Sequence, residues 1–272
     1  MNKIFSFFAL CSMVVFSNSF NAFEVIEKNN TTIDINKLIE LGLIYKNGIG
    51  VKQDYNKSFH YFFKAVINGS VKAKNYLGVM YLNGYGIEQN FLKAKELFLE
   101  AKKEGSIKAI NNLAFMYANG LGVDRNYNKS VRLYRIASKK GSVVAIYNLA
   151  LLLEEGKGIK KNEKLAVKLY KFAVAKKHIL AETNLAIMYL EGRGVKKDAK
   201  KALNLLKDSA KKGNVAAFNT LGYMFAVGKG VKENKRTAYK FWKEAVKLGS
   251  KSAGKNLNFL CKDNENICID LK

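Results

Sequence analysis

Proline is absent from all 272 residues. The residue that breaks helix interiors is therefore missing, and a chain built wholly of helices is open to it. Histidine is nearly absent: His60 and His178 stand far apart, and no cluster of His, Cys, Asp and Glu has metal-ligand spacing. No metal and no cofactor is expected. Ser58 and His60 are two apart on one predicted helix and point in different directions, so no nucleophile, base and orienter assemble. The expectation is a protein without catalytic residues. Arginine supplies only five of 47 basic residues, and the planar guanidinium favoured at phosphate sites is thus scarce. That argues against specific nucleic-acid recognition. Acidic residues are few as well, and the formal charge is +25. The charge keeps an anionic envelope surface, lipid or polysaccharide, in view as a partner. Lysine pairs such as Lys102-Lys103 and Lys139-Lys140 near helix ends read equally as a solvated face.

Long apolar runs are also lacking. The stretch from Ile4 to Phe16 follows Lys3 and precedes Ser17-Asn18-Ser19, the order of a secretory signal peptide. At about 13 residues it is shorter than the roughly 20 a membrane span needs. Residues 1–22 are read as a signal with cleavage near 19 or 22, residues 23–33 as a short leader, and the protein as periplasmic or secreted, from a bacterium. Export leaves Cys261 and Cys268. An even pair in an oxidising compartment forms a disulfide or, with Cys261 in a core column, leaves a buried thiol; both readings stand.

What the chain has in abundance is a repeat. Gly-x-Gly recurs at Gly48/Gly50, Gly84/Gly86, Gly120/Gly122, Gly156/Gly158, Gly192/Gly194 and Gly228/Gly230, a spacing of 36. Ahead of each lies a Leu column (Leu41, Leu77, Leu113, Leu149, Leu185, Leu221), followed by a small residue and, four on from Leu, an aromatic or Leu such as Tyr81 or Phe225. Spacings of four place these on one helix face. After each Gly-x-Gly a second helix is marked by Phe62, Phe98, Tyr134, Tyr170, Leu206 and Trp242, flanked by small residues. Asp54, Asn90, Asn126, Asn162, Asp198 and Asn234 stand where a side chain caps that helix. Gly-Ser or Gly-Asn closes every unit but the fourth, which reads Lys177-His178 and predicts a weaker helix stop with local flexing. Twelve of the 21 glycines belong to the Gly-x-Gly turns, and neither a dinucleotide fingerprint nor a P-loop is present. The chain is read as all-α: six helix-turn-helix units over residues 34–249, then a capping half-repeat and tail over 250–272, each unit burying its apolar face only by stacking on its neighbours.

The stretches AKNYLGVMYLNGYGIEQNFLKAKELFLEAKKEGS (Ala73 to Ser106) and AAFNTLGYMFAVGKGVKENKRTAYKFWKEAVKLGS (Ala216 to Ser250) resemble the Sel1-like repeat family, a relative of the tetratricopeptide repeats. The resemblance implies a right-handed α-solenoid acting as adaptor or scaffold for a protein or peptide partner. Some cysteine-rich relatives are associated with β-lactams; this chain lacks a cysteine pair in every repeat, so that activity does not carry over. First helices would line the concave face. Asn112, Asn148 and Asn184 would then form a ladder for an extended peptide, or else bridge adjacent helices. Phe115, Leu151, Ile187 and Tyr223 would form an apolar strip beside it, or else inter-repeat core. A monomer is expected.

Overall fold

The computed structural model describes residues 34–264 together with 266 and 268. The expected signal peptide and the leader at 23–33 lie outside these residues. Among the described residues there are thirteen helices, each of thirteen residues, and no strand. In chain order they pair as α1 (Ile35–Asn47) with α2 (Tyr55–Ile67), α3 (Val71–Asn83) with α4 (Phe91–Lys103), and α5 (Ile107–Asn119) with α6 (Tyr127–Lys139). Then come α7 (Val143–Glu155) with α8 (Glu163–Ala175), α9 (Ile179–Glu191) with α10 (Ala199–Lys211), and α11 (Val215–Val227) with α12 (Lys235–Lys247). The half unit is α13 (Lys251–Asp263).

The turn inside each pair is held at both ends. The first helix stops at the leading glycine, left-handed at φ 67° in Gly48 and 73° in Gly192, a conformation costly for residues with a Cβ. The second helix starts at the Asx column, where each side chain accepts the N–H three residues on, at 2.9 Å for Asp54 and Lys57 and 3.0 Å for Asn90 and Lys93. The backbone N–H of the same Asx residue reaches back to the preceding first helix, as in Asn90 to Tyr81 O and Asp198 to Tyr189 O, both 2.9 Å. One residue thus caps the second helix and ties it to the first, and a cap of this kind is worth about 1 kcal/mol.

Within a pair, the small column receives the aromatic column. A Cβ on Gly78 would stand 2.6 Å from the Phe98 ring, and one on Gly222 2.4 Å from Trp242. Between pairs, the second glycine of each turn meets the first turn of the preceding second helix. A Cβ on Gly194 would lie 2.4 Å from the Glu163 carbonyl carbon, one on Gly158 2.4 Å from that of Tyr127, and one on Gly86 2.4 Å from that of Tyr55. Gly50, in the first of the described repeats, meets nothing within 4 Å. One apolar core runs unbroken from Ile39 to Met224. A second cluster joins Tyr239 and Trp242 of α12 to Leu260 and Cys268, where a disulfide links Cys261 to Cys268 with Cα atoms 5.7 Å apart.

The fourth junction differs from the expected weak stop. Helix α8 ends at the same length as its counterparts, because Lys177 adopts the left-handed conformation itself, at φ 62°. The closing bonds Lys177 N–H to Val174 O (2.8 Å) and His178 N–H to Ala173 O (3.0 Å) match those of the glycine junctions. What is lost is the cap, since His178 makes no side-chain bond to α9.

The two roles of glycine separate on substitution. Gly50→Ala is expected to cost about 1 kcal/mol, the left-handed penalty alone. Gly194→Ala adds a backbone clash across the repeat interface and is expected to cost more than about 3 kcal/mol. Chemical denaturation of both variants checks this; equal losses would contradict the inter-repeat role of the second glycine.

Candidate partner-binding groove

The first helices form one row, bridged by side chains from one repeat to the next. Asn112 of α5 donates to Asn75 Oδ1 of α3 at 2.8 Å, Asn184 of α9 to the Tyr147 hydroxyl of α7 at 3.4 Å, and Asn256 of α13 to Asn219 Oδ1 of α11 at 3.1 Å. Residues four and seven apart on this row project together. On α7 they are Val144, Asn148, Leu151 and Glu155, and on α9 Leu180, Asn184, Ile187 and Glu191. Phe115 and Tyr223 of the expected strip are 44% and 45% exposed, whereas Leu151 and Ile187 are half-buried. Val144 and Leu180, each 49% exposed, extend the strip by two helical turns. Sequence reasoning passed over these two, although they lie four residues before Asn148 and Asn184 and so share their face.

The three asparagines do not form a uniform ladder: Asn112 and Asn184 follow the alternative reading, bridging adjacent helices. Asn112 and Asn184 are engaged inside the protein. Asn184 also donates to the Tyr170 hydroxyl at 3.3 Å. Asn148 has no such bond to Asn111, the residue placed to receive it. The Asn111 amide turns instead to Ser142 Oγ at 2.7 Å, and its Oδ1 is buried without a partner. The bridge between repeats three and four is therefore open, with an amide on one helix and an acceptor on the next. The Asn111 acceptor is enclosed, so what the gap leaves for an extended peptide is the Asn148 amide, which a main-chain carbonyl can accept from.

Beside this gap lies a polar cluster. Tyr170, fully buried, donates to Glu154 Oε2 at 2.6 Å, and Arg193 Nη2 meets Glu154 Oε1 at 2.8 Å. Burial, then the Glu154 carboxylate, pushes the Tyr170 hydroxyl far above its ordinary range, so it remains a donor. Burial likewise raises Tyr147. The His178 ring stacks on Tyr147 with centroids 4.5 Å apart, and burial lowers its pKa and favours the neutral form. The cluster ties α7, α8 and α9 together, and none of its members is arranged as a nucleophile with a base. Among the described residues no group of three or more His, Cys, Asp and Glu is placed to hold a metal. A concavity of about 710 Å³ bounded by Tyr45, Gln53, Tyr55 and Gly86 opens to solvent at the first turn, away from the strip.

The Sel1 repeat family model matches residues 38–70, 71–106, 107–142, 143–178, 179–214 and 219–250. Among solved structures, the chain is similar to a Sel1 repeat protein from Oxalobacter formigenes at 27% identity and TM-score 0.71, over 88% of this chain and 97% of that one. It is similar also to a protective antigen of uropathogenic Escherichia coli strains displaying an SLR fold, at 27% identity and TM-score 0.62, over 85% of this chain. The match spans about half of that antigen, 49% of its length. An immunity protein from Pseudomonas aeruginosa, 17% identical at TM-score 0.58 over 81% of this chain and 84% of that one, shares the fold. No curated protein matches.

The asparagines are expected to part in stability. Asn184→Ala removes bonds to two tyrosines and should cost about 1 kcal/mol, whereas Asn148→Ala should stay within about 0.5 kcal/mol of the parent. Urea unfolding of the two variants measures the difference, and equal losses would show that Asn148 is structural too.

Proposed function

The chain belongs to the Sel1 repeat family, and we propose that it is an exported binding module that holds an extended segment of a protein partner along the row of first helices. Sel1 repeat proteins generally mediate protein–protein interaction, and their scaffold is typically non-enzymatic. The observation that carries the finer reading is the exposed apolar strip, Phe115, Val144, Leu180 and Tyr223, running beside the open Asn111–Asn148 bridge. Apolar side chains of a bound segment would lose water against the strip, at about 25 cal/mol per Å². A carbonyl oxygen of its main chain would accept from the free amide of Asn148. The partner is thus a peptide with spaced apolar side chains and a free backbone. Export rests on the order of charge, apolar run and small residues at positions 3–22, and places the module in the periplasm or outside a bacterial cell.

Panning a displayed library of random peptides on the immobilised protein tests the groove. Recovered peptides are expected to bind the Phe115→Ser/Leu180→Ser variant at least about tenfold more weakly, and Asn148→Ala several-fold more weakly. A control at an exposed apolar position off the strip, Leu99→Ser, should leave affinity unchanged. Binding undiminished by the groove substitutions would refute the reading.

A further inference from the structure

Charge is sorted between the two helix rows. Helices α1, α3, α5, α7, α9 and α11 together carry five basic and five acidic residues. Their partners α2, α4, α6, α8, α10 and α12 carry twenty-two basic and five acidic. The excess is purest at the centre of that second row. Helix α6 has four basic residues and no acidic one, and α8 has three and only Glu163, which pairs with Lys161 at 2.9 Å.

Two exposed apolar side chains stand in the middle of this field. Ile136 of α6 and Phe172 of α8, 43% and 47% exposed, occupy the same position in successive repeats. Arg132 and Lys168 lie one turn before them, Arg135 and Lys171 immediately before, and Lys140 and Lys176 one turn after, all exposed. Lys176 Nζ sits 5.9 Å from the Phe172 ring centroid. At the same position in the flanking repeats stand Glu100 and Asp208, so the apolar pair and its cationic ring form a bounded patch rather than a continuous stripe.

We propose that this face of α6 and α8 docks the protein onto an anionic lipid bilayer. Ile136 and Phe172 would enter the boundary between headgroups and acyl chains, where exposed apolar surface is lost from water. The surrounding lysines would remain at the headgroups, their stems lying along the apolar layer. Two of the chain's five arginines, Arg132 and Arg135, are in the ring, where guanidinium groups suit lipid phosphates. A soluble polyanion would use the cations but gain nothing from an exposed Ile and Phe, so the apolar centre favours a bilayer. No helix among the described residues is long and apolar enough to cross a membrane, and the attachment is peripheral. The apolar strip of the groove lies on the other row of helices, so docking leaves it accessible.

The test is sedimentation of the full chain with vesicles of phosphatidylcholine containing about a third phosphatidylglycerol, against pure phosphatidylcholine, near physiological salt of about 0.15 M. Partition is expected onto the anionic vesicles only, falling as salt rises. Ile136→Ser/Phe172→Ser should weaken it at least about fivefold, as should Arg132→Gln/Lys168→Gln, while the control Ile67→Ser/Leu248→Ser leaves it unchanged. The apolar residues 4–16 are common to every variant, so a difference between variants reports the patch. Equal partition of the parent and the Ile136→Ser/Phe172→Ser variant would overturn the proposal. Binding to soluble dextran sulfate without partition onto vesicles would overturn it too, by identifying a polymer as the ligand.

Discussion

The structure depends on one close approach, that of the second glycine in every Gly-x-Gly after the first to the first turn of the preceding second helix. At Gly86, Gly158 and Gly194 the space where a Cβ would go is occupied by neighbouring backbone. A repeat unit has no core of its own to fix its orientation, so stability comes from units meeting the same way each time. The contact allows one separation between repeats, and the Asx residue that ties the two helices of a pair allows one angle within them. Together these explain a period of 36 that tolerates no insertion along the array.

A uniform stack sorts the chain into two rows with different chemistry. The first helices are drawn together by side-chain bridges such as Asn112 to Asn75, and the face left to them is an apolar strip with few charges. The second helices bury their Ala, Ser and aromatic columns and a flanking apolar column such as Val131 and Val167, and turn the opposite face to water, where most of the lysines of the repeats lie. The proposed peptide binding on one row and the proposed lipid docking on the other draw on the same sorting, and neither needs the other's surface.

Most of the architecture was legible in the sequence because it is carried by columns. A residue type that returns every 36 positions reports a requirement of the repeat, as the Asx caps and small columns do. What was not legible lives in exceptions. Asn112, Asn148 and Asn184 look identical within their column, and they differ because the residues 37 positions earlier are Asn75, Asn111 and Tyr147. Lys177 breaks the glycine column, yet the chain holds it in the glycine's conformation, since the closing bonds on either side prescribe the turn. Val144 and Leu180 belong to a column that also holds Lys72 and Lys108. Their exposure is a property of the folded row, and the same is true of Ile136 and Phe172 among the lysines.

The central claim is a single continuous array, propagated by the same kind of close contact from one full repeat to the next, the fourth junction included. Native-state hydrogen exchange, followed by mass spectrometry along the chain, tests it most directly. Protection is expected to be greatest in the middle helices and to fall smoothly toward α1 and α13, with no step between α8 and α9. A sharp drop at Lys177 and His178, separating two blocks that open independently, would contradict it.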